Sequence, residues 1–312
     1  MNEVSRKILE QVNSVIIGKE AVTEKVLMAV LAQGHVLLED VPGVGKTTMA
    51  LAFARTLGLD SRRVQFTSDT MPSDIIGFSL YNKETGRFDY KSGAVMTNLL
   101  LADEINRTSS KTQSALLEAM EEYQVTVDGH TYPLPKPFVV LATQNPVGSA
   151  GTQLLPSSQL DRFMIRTTMG YPDRQSQVDI LRERHHENPL DRLQGVVTCE
   201  ELLELIESAK QVHIADAVYD YIVDLVDATR SSELVELGVS PRGALALCRM
   251  AKVHAFVRGG DFVTPEDVYQ VFDDVCAHRL VLSAKARLGK ITAREITEQL
   301  RQQVPVPQVA QL

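Results

Sequence analysis

Cysteine is scarce: Cys199, Cys248 and Cys276 are the only three in 312 residues. They are far apart, odd in number and fall in predicted helices or at their starts, which excludes a disulfide or zinc framework and predicts reduced core or near-core thiols in a cytoplasmic protein. The seven histidines show no His-Glu-x-x-His spacing, and the adjacent pair His185-His186 reads as a solvated helix end rather than a metal site. No apolar run approaches the ~20 residues that a membrane helix needs. The opening Met-Asn-Glu-Val-Ser-Arg-Lys leads into a charged amphipathic segment without an apolar centre, so neither membrane insertion nor a signal peptide is expected. Positive charge is also in deficit. A net charge of −8 argues against a nonspecific grip on a nucleic-acid backbone, so nucleic acid is not an expected partner. The Asn106-Arg107-Thr108 sequon is an accident in a cytoplasmic chain.

What is present begins at residues 40–47, Asp-Val-Pro-Gly-Val-Gly-Lys-Thr, directly after the apolar run Val36-Leu37-Leu38. A strand that ends in a glycine-rich turn and opens into a helix aims several backbone N–H groups at one point, which suits phosphates. Lys46 would neutralise the β- and γ-phosphates, and the Thr47 hydroxyl would complete a Mg²⁺ shell. Asp40 stands where the phosphate-loop pattern begins with glycine; Gly43 and Gly45, which let the backbone approach the ligand, are in place. A helix over 47–57 should follow and stop at Gly58. Leu99-Leu100-Leu101-Ala102 closes on Asp103-Glu104, the pattern of a strand buried on both faces with its C-terminal end at a ligand crevice. Asp103 is the candidate Mg²⁺ holder and Glu104 the group that polarises water. A third apolar run, 138–142, ends in Thr143-Gln144-Asn145, where an amide could hold water near the γ-phosphate.

Taken together these segments resemble the AAA+ ATPases, and within them the MoxR family, from about residue 16 to about residue 281. The resemblance rests on the phosphate loop, Leu-Leu-Ala-Asp-Glu-Ile-Asn-Arg at 100–107, Ala-Thr-Gln-Asn-Pro at 142–146, Gln-Leu-Asp-Arg-Phe at 159–163 and Ser-Pro-Arg at 240–242, in that order. It implies that Pro42, Gly43, Val44, Gly45, Lys46, Thr47 and Thr48, with Gly18 ahead of the first strand, contact ATP. By the same resemblance Asn145 is the sensor-1 residue, Arg162 the arginine finger that reaches a neighbouring subunit's γ-phosphate, and Arg242 the sensor-2 arginine acting across a subunit boundary. A guanidinium suits phosphoryl transfer because its donor fork is rigid and its charge never titrates away. Arg107, just after the acidic pair, is a second candidate for the finger, and an ion pair with Asp161 is the plain alternative for Arg162. The family's Gly-Thr-Tyr-Pro-Leu-Pro-Glu-Ala stretch is altered here to Gly-Thr-Gln-Leu-Leu-Pro-Ser-Ser at 151–158.

Read coarsely, strands at 35–40, 63–68, 97–103, 138–144 and 163–168 alternate with helices at 20–32, 46–57 and 110–122, which predicts a parallel sheet covered on both faces. Leu116, Met120 and Tyr123 mark the packed face of the last of these helices. After a hinge near 170–190, helical periodicity takes over in Leu202, Leu203 and Ile206; Val218, Ile222 and Leu225; Ala244, Leu247, Met250 and Ala251. Thr264-Pro265-Glu266-Asp267 is a strong helix start, and the tail from Pro305 should fray. Two hairpins, about 77–92 and 123–134, are inserted, the second around the favoured turn Asp128-Gly129. The fold class expected is thus an αβα phosphate-loop sandwich on a five-stranded parallel sheet (1–170), followed by an all-helical lid (171–312). The resemblance implies that the inserts face a central pore or a partner.

The resulting expectation is an ATPase, converting ATP and water to ADP and phosphate with Mg²⁺. It would assemble as a homo-oligomer, a hexameric ring, and remodel or mature a partner protein, one with a von Willebrand A domain by resemblance. The ATPase subunit of a metal chelatase, a nucleotide switch with little turnover and a DNA translocase are the alternatives.

Overall fold

The computed structural model describes residues 1–41, 43–145, 155–183 and 188–307. Pro42, part of the 142–146 and 151–158 segments, His185-His186 and the last five residues lie outside the described residues. The first half of the chain runs through α1 (Glu3–Asn13), α2 (Glu20–Leu31), β1 (Val36–Glu39), α3 (Lys46–Thr56), β2 (Ser61–Gln65), α4 (Pro72–Ile76), β3 (Gly77–Asn82), β4 (Arg87–Ser92), β5 (Leu99–Asp103), α5 (Ser110–Glu122), β6 (Gln124–Val127), β7 (His130–Pro133), β8 (Val139–Gln144), α6 (Ser157–Leu160) and β9 (Ile165–Thr167). There follow α7 (Arg174–Glu183), α8 (Cys199–Lys210), α9 (Asp216–Ser231), β10 (Val235–Leu237), α10 (Pro241–Arg258), α11 (Pro265–Cys276), β11 (Val281–Leu282), α12 (Ala284–Leu288) and α13 (Ala293–Gln303).

Five strands form one sheet in the order β2-β5-β8-β1-β9, every pair parallel. Alternation along each strand divides the core into two layers. Leu37, Leu100, Ala102, Val140 and Ala142 pack with Leu116 and Met120 of α5 on one face. Val36, Leu38, Leu99, Leu101, Val139 and Leu141 join a second cluster with α2, α3 and the apolar stripes of α8 to α11. All residues of β5 and β8 are buried, as strands covered by helices on both faces must be.

Several boundaries differ from the sequence expectation. β2 begins two residues early, because its partner β5 sets its register, Ser61 opposite Leu99 and Gln65 opposite Asp103. β9 is shorter than 163–168, since Phe163 still belongs to the turn that follows α6, its N–H donating to Leu160 O. Tyr123 does not lie on the packed face of α5. It is the left-handed C-cap and is 38% exposed. The C-terminal part is not all helical: β10 and β11 pair antiparallel, and two or three residues are too few to give a period-two signal.

Both hairpins form, the second through positive φ at Asp128 and Gly129, as a two-residue turn requires. Tyr90 and Tyr132 stack at 4.0 Å and tie one hairpin to the other, while Phe78, Leu80, Tyr81 and Phe88 of the first are left exposed. Cys199, Cys248 and Cys276 are free thiols, and burial pushes Cys276 up to about 12.

Candidate nucleotide site

The parallel strands all end at one edge of the sheet, and that edge carries the candidate phosphate loop. Gly43 and Gly45 have φ of 87° and 97°, a region that residues with a Cβ rarely enter. Gly45 is the N-cap of α3, which has no side-chain cap and no acid in its first turn. The leading N–H groups and the positive end of the helix dipole are therefore left for an anion. Lys46 is buried and its Nζ donates to Asp40 O at 3.0 Å and Val41 O at 3.2 Å. Burial pulls its pKa below the ordinary lysine value, opposed by the charges of Asp103, Asp40 and Glu104. Val44, Thr47 and Thr48 are half-buried around the loop.

The two acids stand at the tip of β5. Thr143 Oγ1 donates to Asp103 Oδ1 at 2.5 Å, and Arg63 Nη2 approaches Oδ2 at 2.8 Å. Glu104 has left-handed backbone, φ 59° and ψ 47°, which for such a side chain costs ~1–3 kcal/mol. Its N–H donates to Thr143 Oγ1 at 2.9 Å. The carboxylate accepts from Asn145 Nδ2 at 2.9 Å, Arg107 Nη1 at 2.8 Å and Gln65 Nε2 at 3.0 Å. Burial would raise the Glu104 pKa, but the hydrogen bonds from Arg107 and Asn145 and the Arg107 charge prevail and lower it. Asn145 is itself buried. Asn106 fixes its backbone, accepting from Asn145 N at 3.4 Å and donating to Asn145 O at 3.3 Å, while Asn145 Oδ1 has no partner among the described residues.

Among the described residues this set fits a magnesium nucleotide: an uncapped helix start, a buried ammonium held by carbonyl oxygens, two carboxylates and an unpartnered amide oxygen. Among the described residues no group of three or more His, Cys, Asp or Glu could enclose a metal ion, and Mg²⁺ is commonly held by one or two protein groups together with phosphates.

Gly18, with φ 70°, lies against the start of α7, where a Cβ would meet Ser176 Oγ at 2.2 Å. Arg162 and Arg242 are elsewhere. Both converge on Glu121, Arg162 through Nε to Oε2 at 2.8 Å and Arg242 through Nη2 to Oε1. Glu121 lies in the last turn of α5 beside His35, whose Nε2 bonds Met120 O at 3.0 Å; Met164 N in turn donates to His35 O at 2.7 Å. His35 and Met164 immediately precede β1 and β9, so the arginines occupy the N-terminal edge of the sheet. Lys46, Asp103, Glu104 and Asn145 occupy the C-terminal edge, and α5, about 20 Å long at 13 residues, runs between the two. Asp161 is taken by Arg279 at 2.9 Å and Ser240 at 2.9 Å, so it is not the partner of Arg162. Arg107 alone of the candidate arginines is at the acids.

Sequence reasoning missed Arg63, Gln65, Asn106 and Thr143 as members of the site. Arg63 and Gln65 belong to it only because β2 pairs with β5 in this register, for which the sequence carries no direct signal.

A sequence profile of the ATPase family associated with various cellular activities (AAA) matches residues 35–165, and one of the AAA lid domain matches residues 227–300. Chaperone MoxR1 of Mycobacterium tuberculosis is 40% identical over 99% of this chain and 84% of its own length. The uncharacterized protein YeaC of Bacillus subtilis is 46% identical over 96% and 94%. A crystal structure of a protein from Cytophaga hutchinsonii superposes with a TM-score of 0.90 and 38% identity, covering 97% of this chain and 94% of that one. The chain belongs to the MoxR family of AAA+ ATPases.

Proposed function

We propose that this protein hydrolyses ATP with Mg²⁺ in a ring of identical subunits and uses the energy to remodel or mature a partner protein. The observation that carries the chemistry is the placement of Glu104 beside the unpartnered Asn145 oxygen, at the same sheet edge as Lys46 and Asp103. Lys46 would exchange its two carbonyl partners for phosphate oxygens. Thr47 and Asp103 would hold Mg²⁺, which when bound neutralises charge on the phosphates. Glu104, ionised and oriented by Asn145, would orient and polarise the attacking water. Gly18, against the start of α7, would border the nucleotide.

The ring reading is supported by the separation of Arg162 and Arg242 from these groups within one chain. If either guanidinium is to meet a γ-phosphate, the phosphate must belong to a neighbour, and a hexamer is the assembly we favour. The exposed apolar side chains of the first hairpin offer a surface to a partner, for which a von Willebrand A domain protein is the candidate. Among the described residues no helix is long and apolar enough to cross a membrane.

Two variants test the chemistry by separating binding from turnover. Lys46→Ala should weaken ATP binding severely in calorimetry, because it removes a charge-assisted contact from a desolvated place. Glu104→Gln should keep binding and lose turnover by ~10²–10⁴. Equal loss of binding in both would make Glu104 a metal ligand or a structural residue.

A further inference from the structure

Asp40 replaces the glycine with which the phosphate-loop pattern begins, and it is buried to 6% exposure. A glycine there has no side chain to offer; this one reaches out of the loop altogether. Its carboxylate accepts two successive backbone N–H groups, Met169 N on Oδ2 and Gly170 N on Oδ1 at 3.0 Å. Gly170 has φ of 62°, and in such a left-handed step adjacent N–H groups converge on one anion. These residues link β9 to α7, the segment through which the chain leaves the sheet for the C-terminal helices. The same segment meets the loop again at Gly45, where Met169 Cε lies 3.9 Å from the place a Cβ would take, and it meets Lys19, the neighbour of Gly18, whose Nζ donates to Tyr171 O at 2.8 Å.

The other end of Asp40 faces the Lys46 ammonium. Its carbonyl oxygen, with that of Val41, is the hydrogen-bond partner of Lys46 Nζ. An ammonium binds phosphate oxygens more strongly than neutral carbonyls, so loading the loop takes the donor away from the Asp40 peptide. One residue thus has its main chain on the group that senses phosphate and its side chain on the exit from the sheet.

We propose that Asp40 is a positioning residue that transmits the loading of the phosphate loop to the Met169-Gly170 link, and through it to the helices beyond. The inference rests on the nucleotide reading given above. Reorientation of the Asp40 peptide when Lys46 departs moves the carboxylate, and the two N–H groups follow it. Gly170 absorbs the change in direction, since its φ is free of the restriction a Cβ would impose.

Hydrogen–deuterium exchange on the full chain, with and without Mg²⁺ and a nonhydrolysable ATP analogue at saturating concentration, tests it. Amides of Thr47 and Thr48 report that the loop is loaded; those of Met169 and Gly170 report the link. In the unaltered chain both sets should respond to nucleotide. In Asp40→Gly, which restores the residue usual at this place, the loop amides should still respond. The link amides should exchange about tenfold faster or more in both states, with no nucleotide-dependent difference. Asp40→Asn keeps the volume and one acceptor and should fall between, which provides a reading should the glycine variant fail to fold. A purely structural tie would loosen the link in the variants, but the unaltered chain would show no nucleotide response there while its loop amides responded. That result, or a link response that survives in Asp40→Gly, overturns the proposal alone. Loop amides that never respond in the unaltered chain overturn the nucleotide reading and the proposal with it.

Discussion

Glu104 illustrates how single residues at this site trade backbone comfort for chemistry. The left-handed conformation at the end of β5 turns its carboxylate back toward Asn145, Gln65 and Arg107, and the hydrogen bond from its own N–H to Thr143 helps hold that turn. Asn145 matters through what it does to Glu104. Replacing it by Ala removes the 2.9 Å donor to Oε1 and the unpartnered oxygen beside it. Turnover of Asn145→Ala should fall by ~10–10³, with KM for ATP changed far less, in steady-state kinetics. A raised KM with unchanged kcat would instead make Asn145 a binding residue. The acids, the lysine and the amide are legible in the sequence because each closes a short apolar run or a glycine turn. Arg63 and Gln65 are not, since their membership depends on a cross-strand register that no local pattern specifies.

Among elements, the N-terminal edge of the sheet and the C-terminal end of α5 are joined by His35. Its Nε2 meets Met120 O and its Nδ1 accepts from Val140 N–H at 3.0 Å, an arrangement that requires the neutral ring with its proton on Nε2. Burial lowers its pKa from 6.5 to about 4, and burial, with the nearby Arg279 charge, lowers that of His278 as well. Between about pH 6.5 and pH 4 the unfolded chain takes up protons at these rings that the folded chain refuses, so stability falls as pH falls through that window. His35 alone should contribute a slope of ~1.4 kcal/mol per pH unit there. Denaturant unfolding at several pH values should show His35→Gln with a shallower slope by about one proton; an unchanged slope would mean the ring is charged when folded. The cap of α11 is a simpler case, foreseen from Thr264-Pro265-Glu266-Asp267 and present as a reciprocal pair of hydrogen bonds, 2.7 Å and 3.3 Å. Thr264→Ala should cost ~1 kcal/mol in the same assay, and a loss near zero would show that packing alone fixes the start of α11. Helices of this length announce themselves through caps and period. The β10–β11 ribbon does not, because its two short segments, about 45 residues apart (235–237 and 281–282), carry no local signal of their pairing.

For the whole molecule, the decisive feature is the division of the candidate catalytic groups between opposite edges of one sheet. Lys46, Asp103, Glu104 and Asn145 stand at the C-terminal edge, while Arg162 and Arg242 share Glu121 at the N-terminal edge. A sheet four to six residues deep in its central strands, at ~3.3 Å per residue, keeps these groups too far apart for one γ-phosphate to touch both. Hydrolysis is therefore expected to be completed between subunits. A mixing assay tests this most directly, once labelled subunits have been shown to exchange. Lys46→Ala and Arg162→Ala proteins should each be inactive alone, the second because it lacks transition-state charge worth ~10³–10⁵ in rate. Mixed together they should recover part of the ATPase activity, since some boundaries then pair an intact phosphate loop with an intact Arg162. A mixture that exchanges subunits and stays inactive would contradict the account and leave Arg107, already beside Glu104, as the arginine that serves the site.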